Sequence, residues 1–71
     1  MKLEIITIVY MMKKLYHYKE SKIDEIQLSD KGGPAVKEGL QYINDYCTNN
    51  GYKVLNAARE GNMYTVFIVK E

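Results

Sequence analysis

The sequence predicts an α+β fold, a three- or four-stranded, mainly antiparallel sheet with one amphipathic helix packed on one face, in the order β-(β)-α-β-β. Three observations carry this. Val36, Leu40, Ile43 and Cys47 recur at helical spacing, β-type apolar runs occupy both ends of the chain, and glycine-marked turns punctuate its second half. With 71 residues, 46% of them hydrophobic, the chain is read as a single domain spanning 1–71.

The first element is Leu3 to Met12, rich in Ile, Val, Thr and Tyr, the types suited to a pleated surface. Leu3, Ile5, Thr7, Val9 and Met11 alternate onto one face, and Ile6, Ile8, Tyr10 and Met12 make the other nearly as apolar. A strand greasy on both sides belongs in the middle of a sheet. Residues Lys13 to Lys31 are ambiguous. They read best as two strands joined near Glu20-Ser21-Lys22, although a prolonged first strand and a helical turn over Ile23–Leu28 also fit.

Ser29 to Pro34 breaks the chain, and Pro34 suits the first turn of a helix, where its missing N–H would be unpaired anyway. The helix then shows its apolar stripe at 36, 40, 43 and 47, with Lys37, Glu38, Gln41, Asn44, Asp45 and Thr48 opposite. Gly39 costs such a helix about 1 kcal/mol relative to Ala, so its place beside the stripe points to a close approach of helix backbone to sheet. Tyr42 and Tyr46, four residues apart, lie on the helix flank, where they would pack against the sheet or rim a contact surface. Gly51 directly follows the last periodic residues and reads as a left-handed cap rather than a hairpin turn. Tyr52–Ala58 and Met63–Lys70 are the closing strands, with Arg59-Glu60-Gly61-Asn62 as their loop.

The C-terminal half resembles small bacterial and phage proteins grouped as a domain of unknown function. In these, a helix closes in Gly-aromatic-acid-Val/Leu and a hairpin ends in an apolar strand with a basic residue. Gly51, Tyr52, Val54 and Leu55 match the first element, and Tyr64, Ile68 and Lys70 the second. Tyr52 stands where tryptophan is typical and Lys53 where an acid is. The resemblance implies the element order and no activity.

Composition narrows the function. Ten basic against nine acidic residues give +1, so no global field favours nucleic acid or membrane. One cysteine and one histidine are too few for a disulfide framework or a structural zinc site. The apolar run Ile5–Met12 lacks a cleavage site and the length of a span, and free Cys47 suits a reducing compartment, so a cytoplasmic location is expected. No catalytic, cofactor or metal site is expected. Cys47 reads as a small core hydrophobe, His17 as a solvated or stacking ring, and Lys31-Gly32-Gly33-Pro34 as a plain helix entry rather than a phosphate cradle.

What remains is binding. One helix covers one sheet face, so a second apolar face is left over, assigned to Ile6, Ile8, Tyr64, Val66 and Ile68. Beside it, Tyr10–Lys22 interleaves Tyr10, Tyr16, His17 and Tyr18 with Lys13, Lys14, Lys19 and Lys22, while Ile23–Asn50 is acidic. A chain this short has a marginal core, which favours a partner subunit. The sequence therefore predicts a small non-enzymatic protein-binding module, a homodimer or a regulator or inhibitor of a larger protein of phage or mobile-element type. Its alternative is a single-strand nucleic-acid binder using Tyr10–Lys22, whose lysines would neutralise phosphates while its rings stack on bases.

Overall fold

A computed structural model describes residues 1–28 and 35–71; the side chains of Ala35 and Val36 also lie outside that description. The chain runs β1 (Lys2–Val9), β2 (Lys14–Tyr18), β3 (Ile23–Gln27), α1 (Ala35–Asn50), β4 (Lys53–Glu60) and β5 (Met63–Lys70). All neighbours pair antiparallel in one five-stranded sheet, in the order β3-β2-β1-β5-β4. The α+β class stands, while the count of three or four strands is corrected to five. The ambiguous segment does form two strands joined around Glu20-Ser21-Lys22, so β2 and β3 both count.

The apolar run read as one strand to Met12 stops at Val9. A turn follows, in which the Lys13 N–H donates to the Tyr10 carbonyl at 3.1 Å and Lys13 adopts φ 52. The Lys13 carbonyl in turn accepts the Leu28 N–H at 2.7 Å and the Gln27 side-chain amide at 2.9 Å, tying the end of β3 to this turn. The closing hairpin is tighter than its sequence suggests. Strands extend to Glu60 and from Met63, leaving Gly61-Asn62 as a two-residue connection with glycine first, at φ 59.

The helix ends as its sequence implies. Gly51 takes φ 74, and the Tyr52 N–H reaches back to the Cys47 carbonyl at 3.0 Å, satisfying a terminal carbonyl in a Schellman arrangement. The readings of Ser29–Pro34 as a chain break and of Pro34 in the first turn fall outside the described residues. The helix rests over β1 so closely that a Cβ on Gly39 would sit 2.4 Å from Ile8 Cδ1. Beneath it Ile6, Ile8, Leu15, Leu28, Ile43, Val66 and Ile68 form the core.

This placement rolls the helix relative to the expected stripe. Ile43 is buried and Cys47 half-buried, but Leu40 is 44% exposed. Gly39, Tyr42 and Tyr46 turn to the sheet instead, because a residue without a side chain permits the closest backbone approach and the two tyrosines have polar partners below.

Candidate functional site

The helix covers a polar network as well as apolar core. Glu4, Ile6 and Ile8 alternate along the covered side of β1, and register places His17 of β2 opposite Ile6. His17 is fully buried, which corrects the solvated reading, and its ring meets Tyr46 edge-on at 4.4 Å rather than face to face. Its Nε2 lies 2.6 Å from Glu4 Oε1 and its Nδ1 2.8 Å from the Tyr42 hydroxyl. An ionised carboxylate only accepts, so the Nε2–H donates to Glu4, while Nδ1 shares a hydrogen bond with the Tyr42 hydroxyl. The second Glu4 oxygen accepts the Tyr52 hydroxyl at 2.7 Å.

These contacts set the titration of the cluster. Burial pushes the Glu4 carboxyl up, but hydrogen bonds from Tyr52, His17 and Tyr46 outweigh it and hold the group below its ordinary value. Burial, then hydrogen bonding to the Glu4 carboxylate, drives the Tyr46 phenol far above its ordinary value. Tyr52 moves up chiefly through its bond to Glu4, and Tyr42 through burial. Sequence reasoning missed this network. Its only signal was Glu4 breaking an otherwise apolar strand, and the partners lie 13 and 48 residues away.

The Cys47 thiol is raised by burial and by the nearby Glu4 charge. It lines an apolar groove of about 230 Å³ between the helix and the β4–β5 side of the sheet, together with Leu40, Ile43, Val54, Ala57 and Val66. The groove follows from widths: five strands at about 4.8 Å spacing exceed a helix about 10–12 Å across.

The opposite sheet face is the open one. Register brings Leu3 beside Val69 and Ile5 beside Phe67 and Tyr18, with Tyr16 beside Thr7. No described element covers this surface. Leu3 is 53% exposed and Tyr18 41%, Ile5, Val9, Tyr16, Phe67 and Val69 are half-buried, and Thr7 among them is buried. An uncovered apolar face therefore exists, but on the other side from the one expected. Ile6, Ile8, Val66 and Ile68 are core residues with at most 2% exposure, and Tyr64 packs against them. Apolar count alone did not orient β1, since both alternations are greasy; Glu4 and His17 mark the covered side because the helix tyrosines bond them there.

The remaining candidates separate. Lys14, Tyr16 and Tyr18 lie on the open face, as their pairing with Val9, Thr7 and Ile5 requires. Tyr10 packs against the core under Arg59, whose guanidinium lies 5.1 Å from the ring centroid. Lys13 occupies the β1–β2 turn, and Lys19 sits 5.5 Å over the Tyr46 ring on the helix side. The segregation of charge along the sequence does not survive folding. Pairing of β2 with β3 sets Lys14 2.7 Å from Glu25 and Lys19 2.7 Å from Asp24, with Lys22 at 3.6 Å from Asp24.

Among the described residues no group of three or more His, Cys, Asp and Glu side chains is placed to hold a metal ion, and no helix is long and apolar enough to cross a membrane. Comparison with protein-family models, curated proteins and solved structures finds no match to this chain.

Proposed function

We propose that this chain is a small, non-enzymatic protein-binding module of the cytoplasm that engages a larger protein through the open face of its sheet. The observation that carries this reading is the apolar surface of Leu3, Ile5, Phe67 and Val69, flanked by Tyr16 and Tyr18, bounded by the Thr7–Thr65 pair with Val9 beyond it, and covered by no described element. Contiguous exposed apolar surface rimmed by polar groups is characteristic of interaction sites, and tyrosine supplies large contact area at low entropic cost. The non-enzymatic part draws on His17, whose two ring nitrogens are both bonded inside the core, and on Cys47, whose thiol is held in its protonated form by burial.

The test compares immobilised chains in an extract of the native source. Proteins retained by the wild type are expected to be lost with Ile5→Lys/Phe67→Lys and kept with Thr48→Lys, a change on the exposed helix surface away from the groove. An unchanged retained set with the double open-face variant would contradict the proposal, provided circular dichroism shows both variants folded.

The nucleic-acid reading keeps one supporting observation, the side-by-side placement of Lys14, Tyr16 and Tyr18 on the open face. It is the weaker reading, because Lys14, Lys19 and Lys22 each face an acid of β3 rather than standing ready for phosphate. It requires single-strand binding that falls steeply with salt and disappears in Lys13→Glu/Lys14→Glu.

A further inference from the structure

The two edges of the sheet differ. β3 is five residues long and holds Asp24 and Glu25 in ion pairs with the neighbouring lysines, a short, charged edge of the kind that discourages pairing. β4 is eight residues long, exposed along its whole length, and has Asn56-Ala57-Ala58 at its centre. No described strand lies on its outer side.

Its pattern is self-complementary once the β-bulge is counted. The irregularity between Val54 and Asn56 leaves Leu55 out of the ladder, so Lys53, Val54 and Asn56 precede Ala57 and Ala58, Arg59 and Glu60 follow it. Ala57 is thus the middle rung. In the Gly61-Asn62 hairpin the flanking pair Glu60–Met63 exchanges backbone bonds, and pairs alternate from there, so the backbone groups of Ala57 point away from β5. The Ala57 N–H confirms this by donating to its neighbour's side chain, Asn56 Oδ1, at 2.8 Å on the exposed side. This is a bond that an incoming strand would replace with a backbone carbonyl.

We infer that β4 is a homodimerisation edge, pairing antiparallel with β4 of a second copy about a two-fold axis at Ala57. In that register Lys53 of each copy stands opposite Glu60 of the other, and both lie on the open side of the sheet, as their pairing with Val69 and Met63 shows. Neither side chain has an ion-pair partner among the described residues of its own chain. A parallel arrangement in register would instead set like charges together, so the charges select the antiparallel two-fold. The exposed side chains of Val54 and Leu55, 56% and 64% accessible, gain cover at the junction. The product is a continuous ten-stranded sheet with both helices on one side and the two open faces joined on the other.

The experiment is sedimentation equilibrium on the intact chain and on charge variants at protein concentrations up to about 1 mM. The wild type is expected to dimerise. Lys53→Glu and Glu60→Lys, each of which sets two like pairs in place, are expected to weaken the dimer about tenfold or more. The double variant Lys53→Glu/Glu60→Lys restores it, and an equimolar mixture of the two single variants forms a heterodimer. A monomeric wild type over this range, single variants that dimerise like the wild type, or failure of both the double variant and the mixture to recover would each overturn the inference. Ile5→Lys/Phe67→Lys alters the open face alone and is expected to leave the dimer intact, which separates this inference from the binding function proposed above.

Discussion

At the scale of single residues, stability turns on two positions with opposite legibility. Gly39 announced itself as a residue that weakens a helix for a reason, and the reason is Ile8, fully buried beneath it. Gly39→Ala gains up to about 1 kcal/mol of helix propensity, but its methyl would meet Ile8 Cδ1 at 2.4 Å and Cγ1 at 3.0 Å. A net loss of about 1–2 kcal/mol is expected in urea denaturation, as overpacking costs typically run. Adding Ile8→Val, which removes the clashing Cδ1, should recover part of it. Glu4 signalled only by interrupting an apolar strand, because nothing else local distinguishes a buried carboxylate with three hydrogen bonds from a surface one. Its folded value lies below the ordinary 4.5, so its contribution is present above that pH and fades as pH falls through the folded value. The phenols of Tyr42, Tyr46 and Tyr52 lie above the ordinary 10.0, so theirs is full below that pH and fades above it. Glu4→Gln should lose about 1–3 kcal/mol at neutral pH, the cost of disrupting bonds to a buried charged group. Its unfolding midpoint should also fall less than that of the wild type between about pH 6 and about pH 3.

Among elements, the helix C-terminus and the last strand were readable because their signals are local. Gly51 follows a run of helical residues directly, and the apolar alternation of β5 begins at Met63, where the strand does. A Cβ at Gly51 would meet only Lys70 Cε at 3.8 Å, so space is no obstacle there and backbone conformation alone requires glycine. Gly51→Ala should therefore cost about 1 kcal/mol by thermal or urea unfolding, the left-handed penalty of a side chain at φ 74. Equal stability of the two proteins would remove the cap from this account. The β2–β3 hairpin was harder to count, since KLYHY and IDEIQ are short and part of what secures them is charge pairing across strands, visible only once the register is known. The helix roll was illegible for the same reason. Leu40 continues the apolar stripe in sequence, yet Tyr42 and Tyr46 win the sheet side because His17 and Glu4 wait beneath them.

For the molecule as a whole, the mismatch between a sheet with two apolar faces and a single covering helix was legible from composition, while which face stays open was not. Deciding it needed the partners of Glu4 and His17, which arrive from the helix and from Tyr52, the residue between the helix cap and β4. The proposed function places another protein on the face of Ile5 and Phe67. A photo-crosslinking residue placed at Phe67, and in a second protein at Thr48 on the exposed helix surface away from the groove, tests it in the native source. A discrete adduct with another protein is expected from position 67 and none from position 48. Adducts from both positions alike, or from 48 alone, would contradict it.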